Sequence, residues 1–335
     1  MKNLNYGIIG NCKSAALVSE TGSIEWCCMP DFDSSSIFAR ILDKTDGGHF
    51  SIEGIGQYKI EQSYLNRSNI LRTRFSRGDN IFEVLDFMPR YQMENGQYHC
   101  PSDIIRYIRK VSGTPKIKVL YYPRPAYAQS PTETIIDGHF IKKFTTSGPY
   151  ESVYLYSSLP LESITKAKPI TLTEDAFFLI SYNQKLIPLT TQWAELELER
   201  TKVYWMGWTA KTTVLTDYQA QVERSALVLK LLAHQKSGAI LAAVTTSLPE
   251  TIGEERNWDY RFCWVRDASM TIHILTRLGH YNVAKRFLQF ILDIVPYKDE
   301  NVQILYGINP RRKLSERELP WLSGYENSKP VRIGN

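Results

Sequence analysis

Twelve consecutive residues, Arg256-Asn-Trp-Asp-Tyr-Arg-Phe-Cys-Trp-Val-Arg-Asp267, interleave three kinds of chemistry. Trp258, Tyr260, Phe262 and Trp264 are flat apolar plates, Arg256, Arg261 and Arg266 are fixed donors, and Asp259 and Asp267 are acceptors. A pyranose has apolar C–H faces and a rim of hydroxyls that both donate and accept. An aromatic platform with a few oriented polar groups is the recipe that holds such a ring. Asp267 can accept from two neighbouring hydroxyls, and Arg266 donates in a planar fork. The same residues also describe a partly buried aromatic cluster with structural Arg–Asp pairs, and on composition alone both readings stand.

The elements that must position this run are legible around it. After Asp267, the residues Ala268, Ile272 and Leu275 recur at helical spacing, and Leu278-Gly279 marks a helix end with glycine at the cap. A second amphipathic pattern runs through Val283, Phe287, Phe290, Ile291 and Ile294 and stops before Pro296. The two predict a helical hairpin with Arg266 and Asp267 at its mouth, where the first helix's dipole favours an ionised Asp267. Upstream, Val222, Ala226, Leu229 and Ala233 line one face of a helix expected to end near Gly238. Residues 1 to about 215 read instead as β, with strand-like runs at 14–18, 24–28, 70–75, 81–85, 104–111, 117–122, 153–159 and 177–182. Glu20-Thr-Gly-Ser23 reads as a hairpin turn, and Gly, Pro, Asn and Ser clusters separate the other runs, the pattern of a sandwich. A helical stretch near 189–208 joins the halves. The expected division is a β-sandwich domain over 1–187, a helical linker over 188–216 and a helical domain over 217–335.

Composition narrows the function classes. A length of 335 residues suits two domains with real cores. The net charge of +5 is spread out, without a Lys/Arg block, so neither nucleic acid nor a membrane surface is an expected partner. The first residues lack the pattern of a secretory leader, and no apolar run approaches the ~20 residues that span a bilayer. Five cysteines, Cys12, Cys27, Cys28, Cys100 and Cys263, lack metal-ligand spacing and point to reduced thiols and a cytoplasmic location. Cys27-Cys28 reads as core packing within a strand. The six histidines show no paired spacing with carboxylates, the glycines make no phosphate loop, and no nucleophile elbow is present. No metal site and no cofactor is therefore expected. Pro30-Asp-Phe-Asp33 reads as a turn or cap.

Taken together, Asn257-Trp-Asp-Tyr-Arg-Phe-Cys-Trp-Val-Arg-Asp-Ala268 closely resembles the signature of glycoside hydrolase family 15, the glucoamylase and trehalase-like enzymes. Arg224-Ser-Ala-Leu-Val-Leu-Lys-Leu231 resembles the family's first barrel helix, and residues 238–250 its approach to the pocket. Leu322-Ser-Gly-Tyr-Glu-Asn-Ser-Lys-Pro-Val-Arg-Ile-Gly-Asn335 resembles a later pocket segment. Tyr6-Gly-Ile-Ile-Gly10, Ala15-Ala-Leu-Val18, Gly22-Ser-Ile-Glu-Trp26 and Pro30-Asp-Phe-Asp-Ser34 are similar to the trehalase-like β domain of prokaryotic members. The resemblance implies a multidomain β-then-α chain: a β-supersandwich followed by an (α/α)6 toroid of helical hairpins, the six-hairpin glycosidase type. It implies inverting hydrolysis of a terminal α-glucosidic bond in trehalose, maltose or a maltooligosaccharide. By position, Trp264, Arg266 and Asp267 would grip the terminal glucose, Asn257, Trp258 and Tyr260 would shape its pocket, and Tyr325 and Arg332 would form its wall. Self-association is left open.

One departure bears on catalysis. Inversion needs a general acid and a general base about 6.5–9.5 Å apart. The resemblance puts both on glutamates beyond the segment that ends at Asn335, so no catalytic residue is assigned. Glu316, Glu318 and Glu326 stand outside the family's acid motif, and the charged run 311–318 reads as a solvated loop. Residues 218–335 hold roughly four to six helices at about 11–12 residues each, so the toroid is expected to be incomplete, with inner helix faces uncovered. The sequence therefore reads as the truncated front portion of an α-glucosidase. The alternative is a non-catalytic glucan- or trehalose-binding protein, or a half-barrel that takes its acids from a partner chain.

Overall fold

Run after run in the first half carries apolar side chains at alternate positions, and in a computed structural model these runs pair into two antiparallel sheets. The structure describes residues 4–294, 303–309 and 314–335. The chain divides into two compact units, one ending at Tyr204 and the other beginning at Trp205.

In the first unit the strands are β1 (Tyr6–Gly10), β2 (Ala15–Ser19), β3 (Ile24–Cys28), β4 (Ser36–Phe38), β5 (His49–Gly54), β6 (Lys59–Tyr64), β7 (Leu71–Arg77) and β8 (Asn80–Phe87). A two-residue ladder of β9 (Tyr91–Gln92) and β10 (Tyr98–His99) follows. Then come β11 (Asp103–Ser112), β12 (Lys116–Tyr122), β13 (Thr132–Asp137), β14 (Phe140–Thr145), β15 (Ser152–Ser157), β16 (Ile170–Thr171) and β17 (Ala176–Tyr182). One sheet runs β1-β2-β3-β5-β12-β16 with β4 beside β3, and the other runs β13-β14-β15-β17-β11-β8-β7-β6. A short helix, α1 (Leu161–Thr165), precedes β16, and α2 (Thr191–Thr209) follows β17.

Both sheets feed one core. Val18, Phe50 and Val119 from the first sheet meet Val84, Ile108 and Phe178 from the second, all at 1% exposure or less, with Cys27 among them. Each such side chain contributes on the order of 1.5–3 kcal/mol through removal from water. The opposite face of the second sheet is apolar too: Leu85, Phe87, Ile105 and Leu179 pack with Ala194 and Leu198 of α2. The central strands are thus covered on both faces, which is why 104–108 reads as a nearly unbroken apolar run.

Two charges interrupt that core. Arg106 of β11 and Asp86 of β8 are register partners and fully buried. Arg106 Nε donates to Asp86 Oδ1 at 2.7 Å and Nη2 to Oδ2 at 3.2 Å. Nη1 donates to the Phe50 carbonyl at 2.7 Å, and Nη2 also donates to the Gly22 carbonyl. The guanidinium lies 4.7 Å from the centre of the Phe50 ring. One arginine thereby ties the second sheet to a strand and a turn of the first. Burial raises the Asp86 carboxyl and the adjacent guanidinium opposes that shift.

A left-handed turn follows β12. Ala126, Tyr127 and Ala128 have φ of 55°, 55° and 58°, a region that costs L-residues roughly 1–2 kcal/mol each. It is held by its surroundings: Glu151 accepts from Ala126 N at 2.9 Å, and Tyr127 Oη donates to the Ser34 carbonyl at 3.0 Å. The segment around Pro30-Asp-Phe-Asp33 is a turn, with Ser34 N donating to the Asp31 carbonyl at 3.1 Å.

The second unit carries α3 (Gln219–Leu231), the two-residue strand β18 (Cys263–Trp264), α4 (Val265–Arg277) and α5 (Tyr281–Ile294). It also has β19 (Leu305–Tyr306), β20 (Arg317–Glu318) and β21 (Arg332–Ile333). The architecture is a β-sandwich followed by helices. Among the described residues beyond 217 there are three α-helices, fewer than the four to six expected from length. The reason is the long stretch 232–262, which runs through turns and the isolated bridges Ala233↔Ile240 and Thr246↔Asp259 rather than helix.

Three expectations need correction. The first helix ends at Leu231, not near Gly238; of its expected face Ala226 is buried and Val222 and Leu229 are half-buried, and Glu223, Leu227, Lys230 and Leu231 are buried as well. The two buried charged residues break the hydropathy pattern on which the expectation rested. In α4 the buried residues are Ala268, Thr271 and Leu275, so Thr271 takes the place expected for Ile272. The run 311–318 is not simply a loop: Arg317 pairs with Ile333 and Glu318 with Arg332. The helix stop at Pro296 lies outside the described residues. Val283, Phe287 and Phe290 are buried as their spacing requires.

His280, between α4 and α5, is 5% exposed and stacks on Trp208 at 3.7 Å and 7°. Its Nε2 sits 2.9 Å from Thr212 Oγ1. Burial first, then Lys230 and Lys211, lower its pKa to about 4. No helix among the described residues is long and apolar enough to cross a membrane.

Candidate functional site

The run from Asn257 to Trp264 is non-helical, with a bridge at Asp259, a bend at Arg261 and Phe262 and a strand at Cys263–Trp264, and its side chains largely alternate. Asn257, Asp259, Arg261 and Cys263 are at 1% exposure or less, while Trp258, Tyr260 and Trp264 are half-buried on the other side. Phe262 breaks the alternation and is buried at 5%. Two of the five charged residues in the motif are therefore structural. Arg261 donates to Asp259 through Nε at 2.9 Å and Nη2 at 2.6 Å, a bidentate pair shielded from water.

That buried pair also anchors the second motif. Asp259 Oδ2 accepts from Gly334 N at 2.9 Å, and Asn335 Nδ2 donates to the Asp259 carbonyl at 2.9 Å. Asn257 Nδ2 reaches the Ser328 carbonyl at 3.4 Å, and Asn257 Oδ1 has no hydrogen-bond partner among the described residues. Ser247, buried, accepts from Arg332 N at 2.7 Å and donates to the Arg332 carbonyl at 2.7 Å. The two segments that sequence reading picked out separately, 257–267 and 322–335, are thus stitched together. Gly324, at φ +80°, makes the turn before the short helical turn Tyr325–Asn327, and a Cβ there would collide with the Ser328 carbonyl. Tyr325 is half-buried in that turn.

Trp264 caps α4 in extended conformation, and Asp267 falls in the helix's first turn. Arg266 Nη2 donates to Asp267 Oδ2 at 3.1 Å, with the two side chains 66% and 33% exposed. The Arg266 guanidinium lies 6.0 Å from the Trp264 ring centre, and Tyr260 lies 5.8 Å from the same ring at a tilt of 34°. Burial raises the Tyr260 hydroxyl, Glu250 and Asp267 raise it further, and Arg266 opposes them. The arrangement offers solvent an aromatic wall, a hydroxyl, a donor fork and an acceptor at the start of a helix.

Glu250 is a residue that sequence reading missed as a participant. Trp258 Nε1 and Arg256 Nη1 both reach its carboxylate at 3.4 Å. The opposite relationship of Trp258 is with Arg332, whose guanidinium lies 5.6 Å from its ring centre. The signal was present in the motif Leu-Pro-Glu250 that closes the preceding segment, but a lone exposed glutamate gives no spacing to read.

Residues 216–335 match the family model for glycosyl hydrolases family 15, and residues 5–158 match the model for the trehalase-like N-terminal region. Residues 216–335 are a family-15 segment. The chain is 35% identical over 342 residues to a trehalase of Thermoplasma volcanium, an alignment covering 98% of this chain and 53% of the relative. It is 32% identical over 365 residues to a trehalase of Mycolicibacterium smegmatis, covering 99% and 53%. With trehalase 1 of Sulfolobus acidocaldarius the identity is 35% over 341 residues, covering 98% and 55%. The chain spans about half the length of the curated relatives it matches.

A cavity of about 340 Å³ opens beside the stitched segments. Glu255, Glu318, Lys329 and Arg332 bring charge to it, and Leu319 and Val331 bring apolar surface. It shares Arg332 with the predicted site residues but is not lined by Trp264, Arg266 or Asp267.

Proposed function

We propose that this chain supplies the glucose-gripping part of an enzyme that hydrolyses a terminal α-glucosidic bond, with trehalose as substrate and inversion at the anomeric carbon. The observation that carries the reading is the exposed Arg266–Asp267 pair beside Trp264 at the first turn of α4. An ionised carboxylate there accepts from two sugar hydroxyls, helped by the helix dipole, and the guanidinium donates to a third oxygen. Trp264 and Tyr260 supply apolar surface for the C–H face. Asn257, Trp258, Tyr325 and Arg332 complete the wall. Relatives named trehalase, aligned over nearly the whole chain, support the choice of substrate. Maltose and maltooligosaccharides present the same terminal ring and are the next substrates to try.

The helical unit is proposed to be the first part of an (α/α)6 toroid, within the division 1–187, 188–216 and 217–335. Support comes from the α4–α5 hairpin, whose outer residues Met270, Ile274, Leu288 and Leu292 are 64%, 45%, 56% and 67% exposed. Apolar surface of this extent marks a face that packs against something. No residue of this chain is proposed as general acid or base.

The test is the anomer released. The full-length protein, given trehalose and followed by proton NMR within the first turnovers, should release one β-glucose for each α-glucose. Release of α-glucose alone would replace inversion with retention. Absence of hydrolysis with normal trehalose binding would leave a sugar-binding protein.

A further inference from the structure

Glu250 stands eight residues before Trp258, and the backbone folds back to bring the two side chains together. Thr246 and Asp259 form an antiparallel bridge, Ser247 N donates to the Trp258 carbonyl at 2.9 Å, and Glu250 N donates to the Arg256 carbonyl at 3.0 Å. Gly253, at φ +88°, lies in the turn between them, a conformation that glycine adopts without the Cβ penalty. Its N–H donates to Ser328 Oγ at 2.8 Å, which ties the turn to the 322–335 segment. The seat of Glu250 is therefore fixed by backbone bonds, while its side chain stays exposed.

The indole of Trp258 is held from two directions. Its Nε1 donates to Glu250 Oε1 at 3.4 Å, and the Arg332 guanidinium lies 5.6 Å from its ring centre. Arg332 is itself pinned by two backbone bonds to Ser247. An indole has one N–H donor and no acceptor, so the carboxylate selects the ring edge that faces it. At 3.4 Å in solvent the bond is long, and a sugar that excludes water from Trp258 would strengthen it. Arg256 Nη1 reaches Oε2 of the same carboxylate, also at 3.4 Å. Both oxygens of Glu250 thus face protein donors already, which favours an orienting role over direct contact with a sugar hydroxyl. The carboxylate also belongs to the neighbourhood of Asp267. Burial first and Glu250 next raise the Tyr260 hydroxyl, Asp267 adds to the shift, and Arg266 opposes it.

We propose that Glu250 is a positioning residue, which fixes the indole of Trp258 and through it the wall against which the terminal glucose lies. The inference rests on the glucosidase reading above. It adds to that reading a residue from outside the aromatic run, one that acts on the sugar only through Trp258.

The experiment uses the full-length protein with E250A, E250Q, W258F and the double variant E250A/W258F. KM and kcat on trehalose are measured beside the trehalose Kd from isothermal titration calorimetry. Glutamine keeps the acceptor oxygen, and phenylalanine keeps a flat ring without the N–H. E250A should raise KM and Kd about fivefold, the worth of one hydrogen bond, with little of the loss in kcat. E250Q should recover most of it. In the W258F background E250A should add nothing, because the contact it removes is already absent. Equal losses in E250A and E250Q would mean that the charge acts directly, and an undiminished effect in W258F would mean that Glu250 works elsewhere. Either result overturns the inference, as does an E250A protein with unchanged KM and Kd. D267N separates the two readings. If the wild type neither binds nor hydrolyses trehalose, or if D267N changes none of these constants, the glucosidase reading itself fails, and this inference with it.

Discussion

Arg266 and Asp267 are neighbours in the chain, yet they turn to pair with each other at 3.1 Å on the first turn of α4. Exposure of 66% and 33% makes this a weak pair, of about 0–1 kcal/mol, which sugar hydroxyls can displace at little cost. Under the proposed reading, Asp267→Asn in the full-length protein should therefore fold normally while kcat on trehalose falls about a hundredfold through misplacement of the ring. Steady-state kinetics beside a melting curve checks this. Unchanged turnover would remove Asp267 from the site.

Trp264→Ala tests the platform. If its ring carries the C–H face of a glucose, sugar binding should weaken by about 1–3 kcal/mol, by analogy with bases stacked on aromatics. Product inhibition by glucose gives the number. Loss of cooperative unfolding in the variant would instead show that the ring serves the core.

The Arg106–Asp86 pair yields a stability prediction. Asp86→Ala leaves a guanidinium buried without its counter-charge and should cost about 3–5 kcal/mol, whereas the double change Asp86→Ala with Arg106→Met should recover much of it. Urea denaturation measures both. A loss below about 1 kcal/mol in the single variant would mean that water reaches the pair.

His280 sets a pH window. Its pKa is lowered in the fold from 6.5 to about 4, so the folded state disfavours the proton that the unfolded chain accepts. The contribution is fully present above pH 6.5 and is lost as pH falls toward 4, up to about 3 kcal/mol in all. Thr212, stacked Trp208, Lys211 and Lys230 surround the ring. Thermal unfolding from pH 7 to pH 4.5 should lose stability in the wild type and less in His280→Gln. Parallel curves would put the acid sensitivity elsewhere.

At the left-handed turn, Ala128→Gly should raise stability by about 1 kcal/mol, because glycine adopts φ of 58° without the Cβ penalty. A calorimetric melting curve decides. A lower melting temperature would mean that the buried methyl of Ala128 outweighs its strain.

Much of this architecture could be read before folding, for identifiable reasons. Strands β3, β11, β12 and β17 are rich in β-branched and aromatic residues, and Glu20-Thr-Gly-Ser23 does turn the chain between β2 and β3. Strands β6, β13 and β14 escaped notice because Lys59-Ile-Glu-Gln, Thr132-Glu-Thr and Ile141-Lys-Lys carry polar groups on a solvated face. The face of α3 was misread because Glu223 and Lys230 are buried. At the site, the aromatic and charged residues of 257–267 were legible as a set, but their division was not. Only a non-helical backbone, which the helical pattern downstream concealed, sends Asp259 and Arg261 inward and leaves Asp267 outside. Arg106 and Asp86 stood among the other charges of their strands, Glu83 in β8 and Asp103, Arg109 and Lys110 in β11, a signal that names no partner.

Arg106 also has a consequence for the order in which the first unit assembles. Its acceptors lie 20, 56 and 84 positions away along the chain, at Asp86, Phe50 and Gly22. The hairpin of β7 and β8 joined to β11 can satisfy two of its bonds early, but the remaining two require that the sheets have already met in register. Such contacts of high sequence separation form late and slow the search. A misdocked pair of sheets leaves two of the guanidinium's bonds unmade in hydrocarbon, so wrong arrangements are penalised at the moment they would otherwise be trapped. The residue acts as a proofreader of assembly as well as a fastener of the finished sandwich.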